Sequence, residues 1–242
     1  MVRGRFCDRV KVRCLLALLA RASDALCDNP NMEFQIIPVT DFQQNCSLLI
    51  CPETRRAAWV DPGGDIDQLQ AMAQDAQVTV EKVFLTHGHI DHCGQAGLLA
   101  KQMGVPIEGP HWDDEFWIEQ LKAQGVMFGL HGADRFTPDR WLTDGDTVSF
   151  GHETLEVIHC PGHTPGHVVF VSLTERLAFV GDVLFAGSIG RTDFPRGNHQ
   201  QLLASIKEKL FPLGDDIEFV PGHGPMSSFG RERLTNPYVG EN

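Results

Sequence analysis

The densest group of chemically capable side chains is the segment Thr-His-Gly-His-Ile-Asp-His at residues 86–92, which directly follows an apolar run. Residues two apart on an extended backbone point to the same side, so His87 and His89 can reach one metal ion together. Asp91 and His92 lie where the chain turns into the next helix, and they can supply a second ion. Packing alone gives no reason to gather so many costly polar groups in one turn, so the motif indicates metal binding.

Three further polar residues follow short apolar runs that each end near a glycine, namely His163, Asp182 and His223. If the strands that carry them run in the same direction, all of these groups gather at one edge of a sheet. Ligands of open α/β structures commonly lie beyond the carboxyl ends of strands. The sequence therefore predicts one metal centre built from several strand ends.

Five histidines and two aspartates are enough for two ions that share one carboxylate. We expect His87, His89 and His163 on the first ion, Asp91, His92 and His223 on the second, and Asp182 between them. Nitrogen and carboxylate ligands suit zinc, iron or manganese, and zinc is the metal we expect first. Two divalent ions roughly 3.5–4 Å apart can share a hydroxide that attacks a carbonyl, so no serine or cysteine nucleophile is required.

The elements that must position these residues are mostly short strands separated by turn residues. Strands are predicted over 34–39, 46–51, 57–61, 78–85, 105–107, 147–150, 154–159, 167–173, 177–180 and 217–220, the last being the final one. Helices are predicted over 94–103 and 112–123, with Asp65 and Asn198 capping two more, and a loop is predicted over 125–145. Strand meanders with helices between them indicate helices packed outside a sheet pair or a mixed sheet.

Residues 1–31 differ from the rest because basic residues surround a short apolar run there. We interpret this segment as an extension, either loosely structured or the result of a start codon placed too early. A targeting peptide and a docking helix are the alternatives, since the apolar run is at the lower limit for a signal peptide. Residues 32–242 are predicted to form the catalytic domain.

Composition excludes several classes of protein. The formal net charge is −12, which disfavours binding to nucleic acid. No apolar run approaches the roughly 18 residues of a membrane span. The 7 cysteines form no C-x-x-C pair, which favours reduced thiols and a cytoplasmic location.

The chain resembles the metallo-β-lactamase superfamily in the order of its motifs. H-x-H-x-D-H is followed by His163, Asp182 and His223, and Asp61 ends an earlier strand. The resemblance spans residues 32–224 and implies an α/β (α+β) fold, a four-layer αββα sandwich with the metals at one edge of its two sheets. The stretches 161–167, 190–195 and 221–225 are most similar to glyoxalase II-like hydrolases of the short bacterial type, which lacks the C-terminal helical domain. Those enzymes hydrolyse thioesters such as S-D-lactoylglutathione, so the resemblance implies a small glutathione conjugate as substrate. It also implies that a metal-bridging hydroxide attacks the thioester carbonyl, with Asp91 and Asp182 as catalytic residues.

Other branches of the superfamily remain as alternatives. A persulfide dioxygenase would need one iron, held by His87, His163 and Asp182. The complete second ligand set and the sequence Pro-Gly-His-Gly-Pro at 221–225 favour a hydrolase. A lactonase is a further alternative. A β-lactamase is disfavoured, because the types with H-x-H-x-D usually place Arg where His92 stands or Cys where Asp182 stands.

Residues around the predicted ligands have two interpretations each. Asp61 is expected to orient a metal-bound histidine. His167 either supports a ligand or is an ordinary strand residue. Arg191 either forms an ion pair with Asp193 or contacts a substrate carboxylate. A set of aromatic and apolar residues either packs in the core or lines an apolar substrate wall: His111, Trp112, Phe116, Trp117, Met127 and Phe128.

Overall fold

A computed structural model describes residues 31–241, so the predicted extension lies, apart from Asn31, outside the described residues. Its first sheet has the strand order β1-β2-β3-β4-β5. The strands are β1 (Glu33–Val39), β2 (Gln44–Ile50), β3 (Arg56–Val60), β4 (Thr79–Phe84) and β5 (Ile107–Glu108). β1, β2 and β3 pair antiparallel, whereas β3, β4 and β5 run parallel.

The second sheet has the order β13-β12-β9-β8-β7-β6. Its strands are β6 (Thr147–Phe150), β7 (Glu153–His159), β8 (Val168–Ser172), β9 (Leu177–Gly181), β12 (Glu218–Pro221) and β13 (Ser227–Ser228). Only β9 and β12 pair in parallel. A separate hairpin is formed by β10 (Leu184–Phe185) and β11 (Ser188–Ile189).

Helices cover the outer faces of both sheets. The first group contains α1 (Ile66–Asp75), α2 (Ile90–Cys93), α3 (Ala96–Met103), α4 (Glu115–Ile118) and α5 (Leu121–Phe128). The second contains α6 (His199–Ala204), which continues through a π-helical stretch (Ser205–Leu210), and α7 (Phe229–Thr235). None of the helices among residues 31–241 is long and apolar enough to cross a membrane.

Three apolar clusters account for this layering. Phe84 of the first sheet packs with Phe150 and Phe170 of the second, which fills the space between the sheets. Leu69 of α1 and Leu99 of α3 belong to the cluster on the outer face of the first sheet. A third cluster joins the outer face of the second sheet to α6 and α7. The predicted four-layer αββα sandwich is therefore confirmed.

Strand direction explains why the polar motifs meet. β3 and β4 run parallel, as do β9 and β12, and β7 has the direction of β9 because both pair antiparallel with β8. The residues that follow all five strands therefore emerge at one edge of the sandwich. This edge carries the predicted ligands.

Several local predictions need correction. Asp65 does not cap α1 with its side chain, because its backbone is left-handed and its carboxylate accepts a hydrogen bond from the Thr40 N–H at 2.6 Å. The helix predicted over 112–123 is broken into a 3₁₀ turn, α4 and α5, and α5 continues into the predicted loop. The helix predicted over 94–103 begins at Ala96. The strand at 217–220 is not the last element, since β13 and α7 follow, and the hairpin of β10 and β11 was not predicted.

Candidate metal centre

Three buried histidines converge at the sheet edge. Nε2 of His87 lies 3.1 Å from Nδ1 of His89, and Nε2 of His163 lies 3.0 Å from the same Nδ1. These three residues form a cluster in which one ligand atom from each lies within 4.8 Å of the others. His87 and His89 come from the turn after β4, and His163 comes from the loop after β7. The predicted first ligand set is thus brought together in space.

The hydrogen-bond network sets the tautomers of two of these rings. The Thr86 hydroxyl gives its proton to Oδ2 of Asp61 at 2.6 Å, so it accepts from Nδ1 of His87 at 3.0 Å. Nδ1 of His163 donates to the backbone carbonyl of Arg191 at 2.7 Å. Each ring therefore turns the lone pair of its Nε2 towards His89, as a metal ligand requires.

Burial keeps these rings neutral. Desolvation, reinforced by the neighbouring histidines, holds the pKa of His87 well below its usual range. Burial and the adjacent His163 lower the pKa of His89 to about 3. A neutral imidazole offers a lone pair to a cation, so both rings are ready to bind metal at neutral pH.

A second cluster consists of Asp91, His92 and His223. Nε2 of His223 lies 3.1 Å from Oδ2 of Asp91, and Nε2 of His92 lies 3.6 Å from the same oxygen. Burial opposes a charge on His92, yet Asp182 and Asp91 raise its pKa well above the usual range. A site whose carboxylates stabilise positive charge on a ring also favours a cation between those groups.

Asp182 lies between the two clusters. Its Oδ1 is 3.3 Å from Nε2 of His92, and its Oδ2 is 3.5 Å from Nε2 of His163 and 3.9 Å from Nε2 of His223. Burial would raise the pKa of Asp182, but the three histidines hold it well below its usual range.

Unsatisfied polar atoms test whether this set fits metal. Nε2 of His89, Nε2 of His92 and Oδ1 of Asp182 are buried, and none has a hydrogen-bond partner among the described residues. Buried polar atoms normally have such partners, so these three atoms need another explanation. Nε2 of His92 and Oδ1 of Asp182 lie 3.3 Å apart, and their chemistry fits a divalent cation such as zinc, iron or manganese. The nitrogen of His89 that faces His87 and His163 is Nδ1, so its unpartnered Nε2 does not add to this argument.

Asp61 and His167, which were also predicted from the sequence, hydrogen-bond to residues of the two clusters. Asp61 accepts from the Thr86 N–H at 2.7 Å and from Nδ1 of His92 at 2.9 Å, which turns Nε2 of His92 towards Asp182. Asp61 also lies close enough to His87 and His92 to be a ligand, but its oxygens are already used by these bonds. Nε2 of His167 accepts from the Asp182 N–H at 3.0 Å, and its ring stacks on His87. His167 therefore positions Asp182 and His87.

Arg191 is engaged by its own loop. Its guanidinium donates to both carboxylate oxygens of Asp193 at 2.6 Å and lies 4.4 Å from the centre of the Phe194 ring. The structure thus places Arg191 in the ion pair that was one of its two interpretations. Its backbone carbonyl contributes separately, as the acceptor for His163.

Asp114 is a site residue that the sequence did not reveal. Its buried carboxylate accepts from the Gly88 N–H at 2.9 Å, the Thr164 hydroxyl at 2.7 Å and the Gly166 N–H at 2.6 Å. Gly88 lies between the first two histidines, and the other two partners follow His163. Asp114 therefore ties together the two loops that carry the first cluster. In the sequence it is one of two acidic residues near a helix start, and only the contact distinguishes it from exposed Asp113.

Two glycines allow the loops to approach one another. A Cβ at Gly222 would lie 2.1 Å from Oδ1 of Asp182, and one at Gly88 would lie 2.8 Å from Cβ of Trp117. Both distances are too short for any side chain, so these positions require glycine.

Comparison with known proteins agrees with this geometry. The family model of the metallo-beta-lactamase superfamily matches residues 39–223. The hydroxyacylglutathione hydrolase GloC of Haemophilus influenzae is 45% identical over 209 residues, covering 86% of this chain and 98% of that protein. Among solved structures, the BLEG-1 B3 metallo-beta-lactamase has a TM-score of 0.78 at 34% identity, covering 86% of this chain and 99% of that one. TTHA1623 in a di-iron-bound form has a TM-score of 0.76 at 33% identity, covering 84% and 99%. The chain therefore belongs to the metallo-β-lactamase superfamily.

Proposed function

We propose that this chain is a dinuclear metal-dependent hydrolase of thioesters, of the hydroxyacylglutathione hydrolase type. The observation that carries the proposal is the position of Asp182, whose carboxylate lies 3.5 Å from Nε2 of His163 in the first cluster and 3.3 Å from Nε2 of His92 in the second. One carboxylate between two complete ligand sets is the arrangement expected for a pair of ions.

The proposed ligand sets follow the geometry. His87, His89 and His163 hold the first ion, and Asp91, His92 and His223 hold the second, with Asp182 shared. Zinc is the metal we propose first, with iron and manganese as alternatives. The similar protein TTHA1623 has been crystallised in a di-iron-bound form, which supports testing iron in this chain as well.

Metal ions bound here would lower the pKa of a coordinated water to about 7 and polarise the carbonyl of the substrate. Asp91 lines the cavity above the clusters; burial would raise its pKa, but the adjacent His92 and the hydrogen bond with His223 lower it. Asp91 is thus ionised at neutral pH, and it orients the attacking water by accepting a hydrogen bond. Asp61 and His167 keep the ligand side chains in place during this reaction.

The similarity to GloC favours a thioester as the substrate, because that protein is named a hydroxyacylglutathione hydrolase. A mononuclear dioxygenase would use only the ligands His87, His163 and Asp182, so that alternative does not account for the cluster of Asp91, His92 and His223. The similarity to BLEG-1 supports β-lactam hydrolysis as a second candidate and weakens the sequence argument against it. Nitrocefin hydrolysis by the same protein tests that candidate.

The test of the main proposal is hydrolysis of S-D-lactoylglutathione by protein loaded with zinc, iron or manganese. We expect loss of the thioester absorbance, and we expect a chelator to abolish it and added metal to restore it. Asp182→Asn should lower kcat by at least ~100-fold, since it removes an ionised group from the reaction site. Asp75→Asn is the matched control, because Asp75 is exposed at the end of α1. The proposal is wrong if protein with two bound metal ions hydrolyses no thioester.

A further inference from the structure

The cavity above the two clusters has a mostly apolar wall. Its volume is about 780 Å³, which lies within the range of roughly 300–1,000 Å³ typical of small-molecule sites. Its polar part consists of the proposed ligands His89, Asp91, His163, Asp182 and His223, together with Gln124, Ser188 and Arg191. The large apolar residues that line it are Phe42, Ile90, Trp117, Phe128, Phe185, Ile189 and Phe194. Only Trp117 and Phe128 among them were expected from the sequence.

Apolar rings flank the clusters on both sides. Phe194 and Trp117 pack edge-on against His89 at 4.8 and 4.6 Å between ring centres. Phe185 lies on the other side, 6.4 Å from the ring of His223. A thioester whose carbonyl faces the clusters extends in two directions, so each of its two arms meets an aromatic surface.

The cavity offers little to an anionic substituent. Arg191 is the one lysine or arginine among the described residues that line it. Its guanidinium is already bound by both oxygens of Asp193 and lies over Phe194. A substrate carboxylate would have to displace Asp193 from this two-point ion pair, so charge recognition through Arg191 is disfavoured.

The apolar wall continues to the mouth of the cavity. Phe42 and Phe128 touch there, with ring centres 5.6 Å apart. Both rings remain accessible there, since Phe42 is 37% and Phe128 is 52% exposed. Exposed apolar residues that continue a ligand cavity indicate binding of an apolar group.

We infer that this site prefers thioesters of apolar acyl groups, such as medium-chain aliphatic or aryl-substituted acids, over those of small hydroxy acids. The inference rests on the proposed function and specifies its substrate class. In the reaction, water adds to the acyl carbon and the C–S bond breaks. The products are a carboxylate, a thiol and one proton, so no oxidant or further reactant is needed.

The expected preference follows from the area that the wall can cover. Each methylene group that moves from water into an apolar site contributes roughly a fourfold gain in binding. A hexanoyl group has several methylenes where a lactoyl group has a hydroxyl. We expect kcat/KM for S-hexanoylglutathione to exceed that for S-D-lactoylglutathione by about tenfold or more.

The experiment measures kcat/KM for S-acetyl-, S-butanoyl-, S-hexanoyl-, S-phenylacetyl- and S-D-lactoylglutathione with the metal-loaded full chain. Keeping glutathione constant isolates the acyl group. Phe128→Ala should reduce the hexanoyl-to-lactoyl ratio several-fold. Val126→Ala, a truncation of an exposed apolar residue in the same helix that does not line the cavity, should leave the ratio unchanged.

The outcomes separate the two proposals. Hydrolysis in which lactoyl is equal to or better than hexanoyl overturns this inference and leaves the proposed function intact. An equal ratio in Phe128→Ala and Val126→Ala also overturns it, because the wall then does not contact the acyl group. Absence of hydrolysis with every thioester overturns the proposed function itself.

Discussion

Replacing Asp114 tests separately how this carboxylate affects the free energy of unfolding of the protein and its affinity for metal. Burial raises the pKa of this carboxyl from 3.8 to about 6, although three hydrogen bonds favour its charged form. A rise of that size corresponds to about 3 kcal/mol that favours the protonated form in the folded protein. The folded protein holds this proton between pH 3.8 and about 6, whereas the unfolded chain has lost it. Stability from Asp114 is therefore fully present below about pH 4 and is lost as pH rises through 6.

Asparagine has the shape and charge of the protonated acid. In Asp114→Asn, however, one acceptor oxygen becomes an NH2 group, which cannot accept from the Gly88 or Gly166 N–H, at a cost of about 2 kcal/mol. The metal-free variant should therefore be about 2 kcal/mol less stable than the wild type below about pH 4. Above pH 6, where the ~3 kcal/mol cost of the buried charge is removed, it should be about 1 kcal/mol more stable. Asp114→Ala instead leaves three buried donors without an acceptor, at about 2 kcal/mol each. Removing the buried charge offsets ~3 kcal/mol of this loss. The alanine variant should therefore be roughly 3 kcal/mol less stable than the wild type at pH 7.5.

Metal affinity should change in the opposite sense for the asparagine variant. Loss of the ionised carboxylate weakens the link between the loops of His87 and His163, and such supporting groups typically contribute 10–100-fold to metal affinity. Urea unfolding of metal-free protein and metal titration by calorimetry measure the two quantities. Asp113→Asn is the control, since this neighbour is exposed. The reasoning is refuted if Asp114→Asn binds metal as tightly as Asp113→Asn does.

Three other perturbations are expected to give definite results. Asp61→Ala should lower metal affinity at the proposed second site by about 10–100-fold, because Nδ1 of His92 loses its acceptor. Metal content after dialysis against a weak chelator measures this, and retention of as much metal as in the wild type would contradict it. Glu232→Ala should destabilise the fold by about 3 kcal/mol in urea unfolding, because the buried carboxylate accepts hydrogen bonds from Ser227, Asn236 and the Gly187 N–H. Glu232→Gln should destabilise it less, and an equal loss of stability in both variants would argue against a role for these hydrogen bonds. Burial raises the pKa of the Cys160 thiol well above its usual range, so iodoacetamide at pH 8 should leave it unmodified in the native protein but not in urea. Mass spectrometry measures this, and equal rates in both states would exclude the buried thiol.

Much of the fold was predictable because its signals are local. Alternating or apolar runs bounded by turn residues predicted β1 to β4 and β6 to β9 within a few residues. Asn198 was predicted to cap a helix, and its side chain accepts from the Gln201 N–H. The errors occur where local signals are weak. The hairpin of β10 and β11 has strands of only 2 residues, and the carboxylate of Asp65 is drawn to Thr40, 25 residues away.

The sequence by itself determined which residue types stand at strand ends, and therefore which groups are candidates for metal binding. Histidines and aspartates after short apolar runs carry that information within a few residues of one another. Only the tertiary structure decided how these groups are shared, oriented and enclosed. Asp182 faces both clusters, Asp114 joins two loops, and Arg191 is held by Asp193. The apolar wall likewise combines residues from Phe42 to Phe194, which no local pattern connects. The physical reason is that side-chain contacts between distant segments depend on strand order and direction. Local sequence patterns do not specify either of these.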